Sequence, residues 1–423
     1  MSQSTGQLYP LVVESASNCV VKDVDGNEYI DFNAGIAVLN TGSSHPRVTA
    51  AAAEQLSRFT HYSYADFYYE NAVTLGEKLA AITPGSFRKR VFFGNSGAEA
   101  VEAAMKLARF HTKRPRFFAY SGGFHGRTLG ALSLTASKTV AVKGFSPLLS
   151  TVDHVPYPYC YRCPLKLQYP SCGIACADYI QEEYLDKYVP ADDVAAMVFE
   201  PVQGEAGYVI PPLDYFTRLE RILRPHGILL VDDEIQAGIG RTGRWFAIEH
   251  FGIVPDMICA AKALGGGLPI GALIAKLEVM DWGPGAHAST FGGNPVAVAA
   301  GLAVLETIDQ ERLMDNAREQ GEHIIRRLRE MAERYSLIGD VRGLGLMVGV
   351  ELVKDRGTKA YATEEAKRIV LNAWRSGLLL MLAGRSTIRI MPPLTVSREI
   401  LDEGLDILEK SIKDEGHRTD PRD

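Results

Sequence analysis

Apolar and polar positions recur with two different periods between residues 90 and 275. Short apolar runs predict β-strands, and the stretches between them carry apolar residues at helical spacing. The predicted strands cover residues 90–94, 116–123, 195–201, 227–234, 256–262 and 271–275. Val101, Met105 and Ala108 mark one face of a helix after the first strand, and Ser96 with Glu99 predicts its capping box. Strands separated by helices indicate an α/β domain with a largely parallel sheet.

The pattern changes after Pro295. One long helical pattern runs to about Tyr335, and the sequence LIGDVRGLGLMVGVELV then predicts two strands around glycines. A helix near residues 364–376, the strand STIRIM and a last charged helix complete a smaller α+β domain. The N-terminal runs LVVE, CVVKD and EYIDF predict short strands that join it. We therefore predict a large domain over residues 46–305 and a small domain formed by residues 1–45 and 306–423.

Composition narrows the classes of protein. The chain has 423 residues, of which 46% are hydrophobic and 23% are charged, which is typical of a globular protein. A net charge of -6 gives no reason to expect nucleic acid or an anionic membrane as partner. The first residues, MSQSTGQLYP, lack the pattern of a secretory signal, and no apolar run approaches the ~20 residues that cross a bilayer. We expect a cytoplasmic enzyme or binding protein.

Four of the six cysteines cluster as Cys160, Cys163, Cys172 and Cys176. Their C-x2-C-x8-C-x3-C spacing is compatible with a structural zinc site, because thiolates at such spacings can converge on one ion. There are two alternatives: the cysteines form two disulfides, or they remain four reduced thiols in an irregular loop. A cytosolic location disfavours the disulfides.

Polar residues follow the predicted strands at their carboxyl ends, where open α/β sheets bind ligands. These residues are Glu200, Asp233, Lys262, His125 and the segment Ser96-Gly97-Ala98. The last segment opens a helix, whose free N–H groups suit a phosphate. Pyridoxal phosphate (PLP) needs a phosphate cradle, an acid for its ring nitrogen and a lysine for its aldehyde. The edge of the sheet is therefore a candidate PLP site, although Lys262 alone would read as a solvated loop residue.

The stretch LLVDDEIQAGIGRTGRWFAIEHFGIVPDMICAAKALGGGLPIGA, residues 229–272, makes the resemblance specific. The chain resembles, over nearly its whole length, the class III (subgroup II) PLP-dependent aminotransferases. This group contains the 4-aminobutyrate, ornithine and acetylornithine aminotransferases. The resemblance implies fold type I, with a mostly parallel seven-stranded sheet in the large domain and a smaller α+β domain.

Cofactor roles follow from the resemblance, motif by motif. In DDEIQ, Asp233 is expected to bind the pyridine nitrogen, Ile235 to pack against the ring and Gln236 to reach the ring hydroxyl. Lys262 of AKALGGG is expected to form the Schiff base and to carry the proton during catalysis. The phosphate cradle is expected from Ser96, Gly97 and Ala98 of NSGAE.

Two further motifs contribute to the expected cofactor site. In GGFHGRT, Phe124 is expected to stack on the ring beside His125, where many relatives have tyrosine. A core aromatic is the alternative for Phe124, and a loop hydrogen bonder is the alternative for Gln236. In ASTFGGNP, Thr290 is expected to bind the phosphate of the neighbouring subunit, which implies at least a homodimer with shared active sites.

Substrate residues are also inferred from the resemblance. Arg389 is expected to bind a substrate carboxylate, and Glu205 to pair with it when an ω-amino substrate leaves it unused. Arg127 resembles a second carboxylate binder, and the planar guanidinium suits both positions. Ile36 and Val38 of GIAVLNTG are candidates for the substrate mouth. A surface ion pair between Arg389 and Glu205 is the alternative.

These motifs predict ping-pong transfer of an amino group from an ω-amino acid, such as 4-aminobutyrate or ornithine, to a keto acid such as 2-oxoglutarate. An amino-acid racemase or epimerase on the same scaffold is the second hypothesis, and every motif except the Glu205–Arg389 pair is neutral between the two functions. A non-catalytic binding protein that has kept the fold is the third hypothesis, and a decarboxylase or aminomutase the fourth.

Overall fold

The structure is a computed structural model that describes residues 8–418, with the backbone alone at 418, together with Ser2, Ser4 and Gly6. The ends of the predicted small domain, residues 419–423 and the remaining N-terminal positions, lie outside the described residues. The first elements are β1 (Val13–Ser17), β2 (Val20–Asp23), β3 (Glu28–Asp31), α1 (Ala34–Ala37), α2 (Pro46–Arg58) and α3 (Glu70–Ile82).

The central part of the chain alternates strands and helices, as its hydrophobic pattern predicts. It contains β4 (Lys89–Gly94), α4 (Gly97–Thr112), β5 (Arg116–Tyr120), α5 (Leu129–Leu134), α6 (Thr139–Val142), β6 (Val152–Val155), α7 (Ala175–Tyr179), β7 (Val194–Phe199), α8 (Tyr215–Leu223), β8 (Leu229–Asp233), β9 (Met257–Ala260) and β10 (Gly271–Lys276).

The C-terminal part mixes helices with short strands. It contains α9 (Pro295–Gln310), α10 (Leu313–Arg334), β11 (Ile338–Leu344), β12 (Met347–Asp355), β13 (Ala360–Tyr361), α11 (Thr363–Arg375), β14 (Leu378–Leu379), β15 (Met381–Ala383), β16 (Thr387–Ile390) and α12 (Arg398–Arg418). Among the described residues, no helix is long and apolar enough to cross a membrane.

A seven-stranded sheet forms the centre of the molecule. Its order is β4-β10-β9-β8-β7-β5-β6, and β10 runs antiparallel to both neighbours while the other pairings are parallel. The predicted mostly parallel seven-stranded sheet is confirmed. The one strand that the apolar runs did not indicate is β6, because its sequence VDHV carries two polar residues and lies at the sheet edge.

The central strands are buried on both faces, which explains their continuous apolar sequences. Neighbouring residues of a strand enter different core clusters because side chains alternate across a sheet. Val198 and Val231 pack with the apolar face of α4, whereas Met197 and Leu230 pack on the opposite side. Cys259 and Cys19 are buried in these clusters, as small core residues.

Strands from both ends of the chain pair with each other. β3 runs parallel to β14, with Ile30 opposite Leu378, so the N-terminal strands join the C-terminal region. A second sheet has the order β11-β12-β16-β15, and β13 pairs with β12. The boundaries of the two predicted domains stay a prediction.

The single long helix predicted from Pro295 to about Tyr335 is wrong. The chain forms α9 and α10 instead, separated at Arg312, whose φ of 54° is left-handed and cannot continue a right-handed helix. The apolar pattern continues through Leu305, Ile308 and Leu313, which are all buried, so the break leaves no mark in it.

The predicted capping box at the start of α4 is half right. Ser96 Oγ accepts a hydrogen bond from Glu99 N at 3.2 Å. The Glu99 carboxylate accepts from the N–H of Asn95, at 2.8 Å, rather than from that of Ser96. Ser96 is therefore the N-cap, as the motif predicts, but Glu99 binds the residue before the cap.

A close contact between α10 and the β11–β12 turn holds the sheet that carries β16. Gly321 of α10 lies against Gly345 of the turn, and a Cβ at Gly321 would lie far inside van der Waals contact with the Gly345 carbonyl. Gly345 itself has a φ of +52° and faces the backbone of Thr242. Backbone surrounds this contact, so the neighbours have little freedom to move away.

Gly321→Ala is expected to lower the free energy of unfolding by ~1–3 kcal/mol, because overpacking against backbone outweighs the higher helix propensity of alanine. The matched control is Gly76→Ala in α3, where the nearest atom to an added Cβ is Val91 Cβ at 4.0 Å. That change is expected to raise the stability by up to ~1 kcal/mol. Thermal unfolding at one scan rate measures both changes. Equal shifts in the same direction would contradict the close contact.

Candidate active site

One cavity lies beyond the carboxyl ends of β7, β8 and β9, where the sequence places the polar residues. It measures about 770 Å³ and opens to solvent. Its lining consists of Gly97, Ala98, Phe124, His125, Gly126, Arg127, Glu200, Val202, Asp233, Ile235, Gln236, Ala237 and Lys262. Residues from five separate segments of the chain therefore meet at one edge of the sheet.

A buried acid and a buried histidine meet inside this cavity. Asp233 Oδ2 lies 2.7 Å from His125 Nδ1, and both residues are at most 3% exposed. Asp233 Oδ1 accepts a hydrogen bond from Ile235 N at 3.1 Å. Burial alone would lower the pKa of His125, but the hydrogen bond and charge of Asp233, with the charge of Glu200, raise it. The pair thus places a carboxylate and an imidazole side by side in the wall of the cavity.

Asp233 is the residue of the acidic segment DDE that lines the cavity. Asp232 and Glu234 are buried on either side of it and do not line the cavity. Burial raises the pKa of both carboxyls, and Glu234 accepts a hydrogen bond from Ile248 N at 2.7 Å. The alternation of a strand explains why one acid of three faces the site.

Glu200 links the loops on either side of the cavity. Its two carboxylate oxygens each accept a 2.8 Å hydrogen bond, one from Phe124 N and the other from Gly204 N. Burial raises the pKa of Glu200 to about 7, even though the charge of His125 opposes that shift. Glu200 therefore organises the local hydrogen-bond network of the cavity.

Lys262 lies two residues after the end of β9 and has a left-handed backbone, with a φ of 42°. Such a conformation is unfavourable for a residue with a side chain and is found at functional sites that the surrounding structure holds in place. Burial lowers the pKa of the Lys262 amine, and the carboxylates of Asp233 and Glu200 offset part of that shift. A lowered pKa increases the fraction of neutral amine, which is the nucleophilic form.

The start of α4 approaches the cavity through Gly97 and Ala98. Gly97 is in contact with Ile235, since a Cβ at Gly97 would lie 2.7 Å from Ile235 Cδ1. Ser96 is exposed, uses its hydroxyl to cap α4 and does not line the cavity. The helix N-terminus thus presents a glycine and an alanine to the cavity, with free N–H groups that suit a phosphate.

The remaining predicted cofactor residues are only partly brought together. Phe124 and Gln236 line the cavity, and Gln236 Oε1 is buried without a hydrogen-bond partner among the described residues. Arg127 lies with its guanidinium 5.7 Å from the centre of the Phe124 ring. Thr290 is exposed and does not line this cavity. Its expected role in a neighbouring subunit stays a prediction.

The two predicted substrate residues Glu205 and Arg389 form an ion pair. Arg389 Nη1 lies 2.9 Å from Glu205 Oε1, and the arginine side chain is 3% exposed. This burial argues against an ordinary surface ion pair. Lys138 Nζ lies 3.2 Å from the other carboxylate oxygen. Burial alone would raise the pKa of Glu205, but the charges of Arg389 and Lys138 outweigh it and lower that pKa.

The predicted mouth residues lie outside the cavity wall. Ile36 is 38% exposed, and neither it nor Val38 is a lining residue. Ala37 between them is buried against Val202 and Ala237, which do line the cavity. The segment thus reaches the site through its alanine, and roles for Ile36 and Val38 in substrate binding stay predictions.

Sequence reasoning missed the contribution of Lys138, Thr135, Val202 and Ala237. Thr135 Oγ1 accepts a hydrogen bond from His125 N at 3.0 Å, and Lys138 follows it by three residues. No motif marks Thr135 or Lys138, because each acts through a contact with another segment of the chain. Ala237 directly follows Gln236, and Val202 lies two residues after Glu200, so their position near a strand end was the available signal.

The four clustered cysteines line a different and mostly apolar cavity. All four thiols are free, and no group of three His, Cys, Asp or Glu side chains within the described part of the chain could hold a metal ion. The four cysteines share this cavity but do not form a metal-ligand geometry in it. The choice between reduced thiols, disulfides and a structural zinc stays a prediction.

Comparison with known proteins identifies the family. The model of the family "Aminotransferase class-III" matches residues 1–412. The chain belongs to the class III aminotransferases. It is 47% identical to a leucine/methionine racemase of Thermococcus litoralis over 96% of this chain and 91% of that protein. It is 41% identical to an alanine/serine racemase of Pyrococcus horikoshii (97% and 88%) and 40% identical to a 4-aminobutyrate aminotransferase of Mycobacterium leprae (97% and 93%).

A solved structure supports the fold and the cofactor of this class III aminotransferase. An amine transaminase from an uncultivated Pseudomonas species, solved with PLP bound, is 30% identical and has a TM-score of 0.89. The match covers 99% of this chain and 97% of that chain. The protein is an enzyme of fold type I, and its cofactor is PLP.

The residues of the cavity fit that cofactor. Lys262, the buried carboxylate of Asp233 and the start of α4 all reach one cavity, and the buried Gln236 Oε1 has no partner among the described residues. An amine, an acid and a phosphate cradle are the groups that PLP needs. Lys262 would hold the aldehyde and Asp233 the ring nitrogen.

The titration of Glu200 tests the electrostatics of this site. Its folded pKa of about 7 lies above the ~4.3 of an unfolded glutamate. The contribution of the protonated Glu200 carboxyl to the free energy of unfolding is therefore fully present below the unfolded pKa. It is lost as the pH rises through 7. The measurement is urea unfolding of the cofactor-free enzyme at pH 5 and at pH 8. Between these two values, the free energy of unfolding of the wild type is expected to fall by ~3 kcal/mol more than that of Glu200→Gln. Exposed Glu278→Gln is the control, and parallel profiles for wild type and Glu200→Gln would contradict the raised pKa.

Proposed function

We propose that this enzyme transfers the amino group of an ω-amino acid, such as 4-aminobutyrate or ornithine, to a keto acid such as 2-oxoglutarate, in a ping-pong reaction. The observation that carries the proposal is the buried Glu205–Arg389 pair, with its 2.9 Å separation. The 40% identity to a 4-aminobutyrate aminotransferase supports it.

The pair explains how one site accepts two kinds of substrate. An ω-amino acid brings an uncharged carbon next to its reacting amine, so no cation is needed there and Glu205 neutralises Arg389. A keto acid brings a carboxylate next to its reacting carbon, and Arg389 binds it with its planar guanidinium once Glu205 moves away. Arg127, at the cavity wall, binds the distal carboxylate.

The chain's own residues supply positioning and proton transfer. When bound, PLP accepts the electrons released at the substrate carbon. Asp233, held by His125, would present its carboxylate to the ring nitrogen and would so favour the protonated ring. The Lys262 amine carries the proton from the substrate carbon, because burial lowers its pKa and so increases the fraction of neutral amine that can accept a proton.

Two properties of the assembly belong to the same proposal. Thr290 is exposed outside the cavity of its own chain and is expected to complete the phosphate cradle of a second subunit. We therefore propose a homodimer or higher oligomer with shared active sites. A cytoplasmic location, expected from the N-terminal sequence, stays a prediction.

Racemisation of α-amino acids is the second candidate function. Two racemases are 47% and 41% identical to this chain over almost its whole length. The cavity residues are equally suited to it, since removing the α-proton and returning it to the other face uses the same lysine and acid. The family membership does not support the non-catalytic alternative.

One assay separates the two functions. The enzyme is incubated with 4-aminobutyrate, 5-aminovalerate or ornithine, and separately with L-leucine, L-methionine or L-alanine, each with and without 2-oxoglutarate. Chiral chromatography measures products. We expect ω-amino donors to form glutamate only in the presence of 2-oxoglutarate, because the acceptor must regenerate the cofactor. Lys262→Ala is the inactive control. Formation of the D-enantiomer without a keto acid, and no glutamate from any ω-amino donor, would replace the proposal by the racemase.

A further inference from the structure

Lys138 holds the free oxygen of the Glu205 carboxylate. Glu205 Oε1 pairs with Arg389 at 2.9 Å, and Oε2 pairs with Lys138 at 3.2 Å. The two cations differ in environment, because the side chain of Arg389 is 3% exposed and that of Lys138 is 40% exposed. The carboxylate therefore lies between a buried cation and a cation at the solvent side of the site.

Arg389 is the fixed member of this arrangement. It lies in β16, which is paired on one side with β12 and on the other with β15. The backbone of Glu205 is also fixed, since its carbonyl accepts a hydrogen bond from Gly384 N at 2.8 Å. A change of partner at this site is therefore a rotation of the Glu205 side chain.

Displacement of Glu205 from Arg389 has an electrostatic cost. A half-buried carboxylate that loses its guanidinium partner keeps its charge in a poorly solvated place, which is strongly unfavourable unless another group compensates. Lys138 already contacts the second oxygen. Rotation toward solvent brings the whole carboxylate closer to that ammonium, so the charge remains paired.

Lys138 is attached to the cofactor side of the cavity. Ala136, two residues before it, exchanges backbone hydrogen bonds with Gly122 and Gly123, at 3.1 Å and 2.8 Å. Those glycines lead into Phe124 and His125, which line the cavity. The lysine therefore has a defined position relative to the site, although its side chain is partly exposed.

We propose that Lys138 is a positioning residue that receives the Glu205 carboxylate when a substrate carboxylate occupies Arg389. This inference rests on the part of the proposed function that places a substrate carboxylate at Arg389. The binding of substrates with a carboxylate beside the reacting carbon therefore depends on Lys138. ω-Amino donors do not, because they leave Glu205 on Arg389.

Binding of glutarate to the holoenzyme tests this role. Glutarate has two carboxylates but neither an amine nor a carbonyl, so it binds without reacting. Calorimetry is expected to show Lys138→Met weakening glutarate binding about fivefold, the effect of losing a partly exposed ion pair. Lys138→Arg keeps the cation and is expected to remain within about twofold of wild type. The matched control is Lys143→Met, an exposed lysine whose side chain makes no hydrogen bond or ion pair with the described residues.

A double-mutant cycle separates this role from simple attraction of an anion. If Lys138 acts through Glu205, Lys138→Met has almost no effect on glutarate binding in a Glu205→Gln background. In steady-state assays, Lys138→Met is expected to raise KM for 2-oxoglutarate by a similar factor, with kcat and the KM of the ω-amino donor unchanged.

Two outcomes would overturn the inference. One is unchanged glutarate binding in Lys138→Met, and the other is an equal loss of binding with and without Glu205. Failure of the proposed function is recognised separately. If no ω-amino donor reacts but glutarate binding still depends on Lys138 through Glu205, the positioning role stands and only the assigned reaction falls.

Discussion

The structure depends on keeping charged groups at the carboxyl edge of a buried parallel sheet. Parallel strands that are apolar on both faces leave their polar residues at the strand ends, and there water is largely excluded. Asp233 is 3% exposed at this edge, and an isolated carboxylate would be very unfavourable in such a place. His125, 2.7 Å away, compensates its charge, and the lowered pKa of Lys262 follows from the same burial.

Charge compensation recurs at each further layer of the site. Glu200 is stabilised by two backbone N–H groups and has a pKa raised to about 7, so it is not forced to carry a full charge at neutral pH. Glu205 neutralises the buried Arg389 on the substrate side. On the cofactor side, His125 and Asp233 are joined by a short contact at one edge of the central sheet. On the substrate side, the Glu205–Arg389 pair joins a loop to a different sheet.

The sequence indicates that Asp233 and Lys262 meet at one cavity because their positions are encoded locally. Asp233 and Lys262 each end an apolar strand, and parallel topology alone brings them together. The break at Arg312 could not be predicted, because the apolar pattern continues through it. Ser96 matched its motif but caps α4 outside the cavity, since a motif gives residue identity and not the direction of a side chain. Lys138 was missed because its partner Glu205 is 67 residues away.

The attachment of the cofactor to Lys262 is the central claim, and mass spectrometry after reduction tests it most directly. The purified enzyme, supplied with PLP, is treated with borohydride, digested and sequenced by fragmentation. The account predicts that the added mass of the reduced cofactor lies on Lys262, within the peptide that follows β9. Recovery of that peptide unmodified, with the cofactor on another lysine or on none, would contradict the account.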